Sequence, residues 1–300
     1  MRQGIVRIAL AIGVTYGLMR AASADEGGAI YVAAGDEILR LSDITGRGWV
    51  TLGGGAAGFD SPGTVCVDSA GRIYVADFAN DRIVRVNDMD GSGWTVLGSR
   101  GNGLNQFRYP DGIAVDRGGR IYVADSGNDR IVRVDDMTGR GWSALGSPGG
   151  GVSQFRAPRT VTLDRAERIY ISDNGNNRIV RIDGIDGAGW MEFAPSTGAE
   201  RFYHLNRIAL DGGGRIYATD VGNGRILRID DMSGAGWTAF GTRGSGDGQF
   251  DHPGGIAVGP RGRIFIVDRN NARLVRIDDL SGTGWTTLPI PSGSHGIFVR

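Results

Sequence analysis

Residues 110–134 read PDGIAVDRGGRIYVADSGNDRIVRV, and this stretch decides the fold. Positions 112–115 are short, apolar and partly β-branched, as a buried strand requires. Asp116 opens and Gly119 closes a four-residue type I turn. Arg120 to Ala124 alternates into a second strand. Ser126-Gly127-Asn128-Asp129 has hairpin-loop chemistry, and 130–134 is a third strand. Beyond it, Asp136-Met137-Thr138-Gly139 turns the chain again and 141–145 (GWSAL) supplies a fourth. Apolar residues never recur at helical spacing in this region.

The unit recurs. Tyr31, Tyr74, Tyr122, Tyr170, Tyr217 and Phe265 mark its second strand, and all six tryptophans (Trp49, Trp94, Trp142, Trp190, Trp237, Trp285) hold one equivalent position after a Gly-x-Gly turn. A period in the forties with four strands per unit and six units predicts an all-β fold, a six-bladed β-propeller of four-stranded blades. The ends agree with a closed ring. The first unit starts at its second strand, 28–31, and the C-terminal GIFVR at 296–300 matches GIAVG at 255–259. The last strand is therefore expected to complete blade 1, leaving no open edge.

Composition narrows the class further. The 53 glycines in 300 residues lack a Gly-X-Y period, so the turns of the repeat account for them. One cysteine, Cys66, excludes a disulfide scaffold. It shares a column with Ala114, Thr162, Ala209, Ala257 and Phe298, which reads as buried packing. Thirty-three basic residues, all arginine, balance 33 acidic ones, which excludes a basic nucleic-acid-coating protein. At the N-terminus, Arg2 and Arg7 precede an apolar run at 8–19, and Ala22-Ser23-Ala24 follows. The pattern predicts a signal peptide at 1–24 and a propeller at 25–300. The expected product is exported, periplasmic or extracellular, without a transmembrane segment after cleavage, monomeric and mildly acidic. Export and acidity oppose a nucleic-acid partner.

Residues 110–131, together with the tail Asp-Asp-Met-x-Gly-x-Gly-Trp, resemble the NHL-repeat family, in a form similar to its bacterial exported members. The likeness covers about 28–300. It implies a propeller that often serves as a binding platform and is an enzyme in some relatives; fold alone does not settle which.

Six copies in one chain provide a filter. A residue present in every blade serves the blade, whereas a ligand on the central axis needs different residues from different blades. Asp77/Arg82, Asp125/Arg130, Asp173/Arg178, Asp220/Arg225 and Asp268/Arg273 recur, so they read as structural staples, expected to be exposed pairs worth about 0–1 kcal/mol each. The tryptophan column reads as anchor packing, with sugar binding as the alternative. Asp-rich turns such as 88–91 lack a calcium-loop pattern. The variable columns lie just before each inner strand. One reads Gly63, Asp111, Arg159, Asn206, Gly254, His295; the next reads Thr64, Gly112, Thr160, Arg207, Gly255, Gly296. Two residues ahead of the first lie Ser61, Tyr109, Ala157, His204, His252 and Gly293. Asp111, Arg159, Asn206, Arg207 and His295 are thus the candidate ligand residues at the channel mouth. Tyr203, His204 and His252, beside the atypical loop 194–201, form a candidate recognition edge.

The leading expectation is a binding module that takes a protein, peptide or glycan on its loop-rich channel face, with no cofactor. The alternative is a metal-dependent lyase or hydrolase in the channel, resembling peptidyl-hydroxyglycine lyase propellers that hold zinc on three histidines. Only His295 falls at the matching step, so a divalent metal would need a mixed set such as His295, Asp111 and Asn206.

Overall fold

A computed structural model describes residues 28–53, 58–195 and 197–300; the expected signal peptide lies outside them. Six four-stranded antiparallel sheets form the ring. Blade 3 is representative, with strands Pro110–Val115, Ile121–Asp125, Arg130–Val134 and Ser143–Leu145 from the axis outward. The inner strands of blades 2, 4, 5 and 6 are Val65–Val67, Pro158–Leu163, Leu205–Leu210 and Pro253–Val258. Blade 1 takes its inner strand from the C-terminus: Ser294–Val299 pairs with Ile30–Ala34, placing Tyr31 opposite Phe298 and Val32 opposite Ile297. The ring closes as the repeat predicts.

The second strand of every blade is buried along its whole length, because one face meets each neighbouring blade. That double burial explains why IYVA-type runs are continuously apolar rather than alternating. The core accordingly lies between blades. Tyr122, Ala124 and Ile131 of blade 3 pack with Val161, Ile169, Ile171 and Val180 of blade 4. Each fully buried Ile or Val side chain contributes roughly 1.5–3 kcal/mol relative to exposure.

The recurrent Asp–Arg pairs correct one expectation. Their aspartates are fully buried, at 0 % exposure. Asp125 accepts the Arg108 backbone N–H (2.7 Å), Asn128 Nδ2 (2.8 Å) and Arg130 Nε (2.8 Å). Arg130 then donates to the carbonyls of Asn102 and Gln106, both at 2.8 Å, and its guanidinium lies 5.4 Å from the Trp142 ring centroid. Trp142 packs on Phe107 at 5.3 Å. Blade 4 repeats the arrangement with Asp173, Arg178, Trp190 and Phe155. These side chains tie the glycine-rich connection between blades to the hairpin it crosses. An exposed ion pair would leave the tryptophan and the loop carbonyls unengaged. Trp94, Trp142, Trp190, Trp237 and Trp285 each pack on a phenylalanine of the connection, as anchors, whereas Trp49 of blade 1 is exposed.

Candidate functional site

The inner strands are irregular where the variable columns fall. Register against the second strand breaks between Pro110 and Gly112, Pro158 and Thr160, Leu205 and Ile208, and Pro253 and Ile256; in blade 1 it breaks opposite Val32 and Ala34. Blade 2 makes the same step, Gly63 N–H donating to the Ala76 carbonyl (2.9 Å) and Ala76 N–H to that of Thr64 (3.0 Å). The paired columns are therefore the two residues of a β-bulge repeated around the axis. A bulge re-aims side chains out of the pleat.

Neighbouring bulges touch. Thr64 Oγ1 donates to the Asp111 carbonyl (2.9 Å) and accepts from Ile113 N–H (3.0 Å). Ser172 Oγ donates to the Asn206 carbonyl (2.7 Å), and Thr219 Oγ1 to that of Gly254 (2.9 Å). A Cβ on Gly112 would come within 2.6 Å of the Arg159 carbonyl oxygen, so that step of the ring admits only glycine.

Arg207 crosses this ring. From blade 5 its Nη2 donates to Asp111 Oδ1 of blade 3 (2.5 Å) and reaches the Gly63 carbonyl of blade 2 (3.3 Å), while Nη1 donates to the Arg159 carbonyl of blade 4 (2.6 Å). Blade 2 stands opposite blade 5, so the guanidinium spans the axis. Arg207 is 4 % exposed and Asp111 3 %. Burial holds the Arg207 guanidinium below its ordinary pKa; Asp111 opposes that shift, and nearby Arg159 and Arg269 add to it. Beyond Arg207 the channel widens into a cavity of ≈ 280 Å³ that follows the inner strands toward the opposite face and is lined by residues including Cys66, Ala114, Thr162 and Phe298. Burial there raises the Cys66 thiol pKa far above normal, with Asp68 adding to the shift.

On the loop side of Arg207 stand Arg159, His295 and Arg269. Arg159 Nη1 lies 3.5 Å from Asp111 Oδ2 and its side chain is 40 % exposed. Burial, then the charges of Arg269 and Arg207, push the His295 pKa down to about 4, so its ring is neutral near pH 7. Arg269 was not among the residues singled out from sequence. It follows the buried Asp268 in a column that otherwise reads Phe78, Ser126, Asn174 and Val221. Side chains of that column reach the next blade: Ser126 Oγ donates to the Pro158 carbonyl, Asn174 Nδ2 donates to that of Leu205 (2.5 Å), and Phe78 stacks on Tyr109. Arg269 therefore sits at the seam with blade 1, beside His295. Three guanidiniums against one carboxylate, with His295 neutral, give the mouth a net charge of 3 − 1 = +2.

Among the described residues, Tyr203, His204 and His252 make no hydrogen bond or ion pair with this cluster; their side chains meet one another or Asp251. His204 and His252 have φ of +60° and +55°, and Ser61, Tyr109 and Ala157 of the same column are also left-handed. The column is a backbone corner. The exposed Tyr203 meets His204 edge-on at 5.0 Å, and His252 Nδ1 lies 2.8 Å from Asp251 Oδ1. Tyr203 lines an open cleft with Gly198, Ala199, Arg201, Asn223 and Arg225. Among the described residues, no three His, Cys, Asp or Glu side chains gather as a metal would need. A cation on Asp111 would have to displace Arg207.

Residues 59–85, 107–133 and 250–277 match the NHL repeat family. No curated protein matches the sequence. Among solved structures, a chain of a nidogen/laminin complex superposes with a TM-score of 0.69 at 18 % identity, covering 91 % of this chain and 98 % of that one. A streptogramin B lyase superposes at 0.60 and 18 % identity, covering 92 % and 88 %. A catalytically inactive virginiamycin B lyase from Staphylococcus aureus with quinupristin superposes at 0.56 and 20 %, covering 78 % and 73 %. At these identities the likeness is one of fold.

Proposed function

Because the chain is an NHL-repeat β-propeller, we propose that it works after export as a binding module, taking a protein, peptide or glycan on its loop-rich channel face. One observation carries the reading. The polar side chains that depart most from the sixfold pattern converge on a single mouth, and Arg159, Arg269 and His295 there present polar groups the framework does not consume. The nidogen/laminin complex supports the reading by fold, as a propeller within a protein assembly. The alternative, a metal-dependent lyase or hydrolase, has support from the two lyase neighbours. It is disfavoured by the guanidinium across the axis, which occupies the carboxylate a metal would use.

The test is partner capture with the purified protein as bait against the cell-envelope and medium fractions, followed by affinity measurement on each partner identified. The variants are Arg159→Ala with His295→Ala, and Tyr203→Ala at the cleft. The double substitution should weaken the bound partner about tenfold or more. Undiminished binding by both variants would remove the loop face as the site.

A further inference from the structure

We propose that the channel mouth binds a small oxyanion, a free carboxylate or phosphate, held between the guanidiniums of Arg159 and Arg269 above the Arg207–Asp111 pair. The proposal deepens the binding-module reading and rests on the same mouth.

Two sets of arginines on the ring are engaged, whereas the Nε atoms of Arg85, Arg133, Arg181 and Arg228 on the third strands are, like that of Arg159, buried without hydrogen-bond partners. Those of the buried staples bond aspartate, loop carbonyls and a tryptophan face, and the turn arginines bond their own aspartates, as in Arg72–Asp68 and Arg215–Asp211. At the mouth the count fails. Asp111 gives Oδ1 to Arg207 at 2.5 Å, leaving Arg159 a long 3.5 Å contact to Oδ2. Arg159 Nε is buried without a partner. Arg269 has no carboxylate within ion-pair distance among the described residues, although Ser126 and Asn174 at its column are bonded across their seams.

One further polar atom of the bulge ring that can donate, the Thr160 hydroxyl Oγ1, is also buried without a partner. An oxyanion supplies acceptors for the unused guanidinium N–H groups, and a carboxylate or phosphate edge fits a guanidinium fork bidentately. The positive mouth with low-dielectric walls favours its entry. A cation is excluded by the same charge. His295, neutral and beside Arg269, can hydrogen-bond a ligand oxygen without adding charge.

The experiment is calorimetric titration of the purified protein with inorganic phosphate and, separately, succinate, at ionic strength held constant with chloride. The His295 ring is followed by NMR in parallel. One of the two anions should bind saturably and raise the His295 titration midpoint, because the new negative charge offsets Arg269, Arg207 and Arg159 against Asp111, the charged groups that face the ring. Arg159→Ala and Arg269→Ala should each cut affinity about tenfold or more. Arg117→Ala, exposed on the opposite-face turn, should leave it unchanged. Phosphate binding with no succinate binding would assign a phosphoryl ligand, and the reverse a carboxylate.

Flat titrations with both anions at tens of millimolar would overturn the proposal, as would equal loss in Arg117→Ala. No partner enters this titration, so its failure leaves the binding-module reading to the capture experiment. Anion binding with undiminished partner capture would do the reverse.

Discussion

Arg207→Met tests whether the axis is a packed crossing or a wet mouth. The arginine has three partners on three blades: Asp111 Oδ1 at 2.5 Å, the Arg159 carbonyl at 2.6 Å and the Gly63 carbonyl at 3.3 Å. Both charged residues are nearly inaccessible. Methionine fills part of the volume but leaves Asp111 facing only the 3.5 Å contact to Arg159, with two carbonyls unpartnered. Breaking a buried pair from one side costs about 3–5 kcal/mol. Removing both ends is far cheaper, since no uncompensated charge remains. Asp111→Ala with Arg207→Met should therefore destabilise by much less than the sum of the single substitutions, with a coupling of about 2 kcal/mol or more. Urea unfolding followed by tryptophan fluorescence and circular dichroism gives the cycle, provided the two probes coincide. If water entered freely, Asp111 would rehydrate in the single variant. A cost below about 1 kcal/mol, or additive single substitutions, would refute the crossing.

Deleting 296–300 removes Ile297 and Phe298 from the interblade cores and exposes the edge of Ile30–Ala34; the melting temperature should fall by more than about 10 °C, and a truncated chain that melts like the parent would contradict ring closure. His295 carries a pH prediction: with its folded pKa near 4 against about 6.5 unfolded, it contributes stability that is complete above pH 6.5 and lost as pH falls through 4. His295→Gln should flatten the stability–pH curve in that window by about 2 kcal/mol, allowing for partial exposure, and an unchanged slope would show the ring to be solvated. Cys66, whose thiol burial holds protonated, should resist alkylation at pH 8 in the native protein and react at once in denaturant; rapid native labelling would mean the cavity admits reagent.

Strands, turns and ring closure were legible because each is specified locally and written several times over. Tyr122 means little alone, but five equivalents at one spacing mean a blade. The burial of Asp125 was harder to see. An Asp–Arg pair flanking a loop has the same sequence signature whether the loop is open or, as here, roofed by the connection from the preceding blade. The left-handed corner at Ser61, Tyr109, Ala157, His204 and His252 was not legible as a corner, because no glycine marks those five positions. Its side chains differ in what they meet, Tyr109 stacking on Phe78 and His252 lying against Asp251, so variation in this column does not by itself mark a site. Arg269 lies outside the columns that precede the inner strands, in a column after Asp268 that varies as much.

The column Thr64, Gly112, Thr160, Arg207, Gly255, Gly296 carried a sharper message than convergence. Five of its members are glycine or threonine and one is arginine. Sixfold geometry points all six at one axis, where there is room for a single long side chain. A Cβ on Gly112 or Gly255 would already press on the neighbouring backbone, within 2.6 Å of the Arg159 carbonyl and 2.8 Å of the His295 carbonyl. One large residue among small ones at an inward-facing repeat position is thus the sequence signature of a crossing side chain, and it separates Arg207 from its candidate neighbours. Arg159 and His295 belong to the other bulge column, which also supplies the buried Asp111 and, at Gly63, a position where a Cβ would press on Asp111. Binding chemistry on this ring is therefore expected from Arg159, His295 and Arg269, with Arg207 and Asp111 as the floor on which it rests.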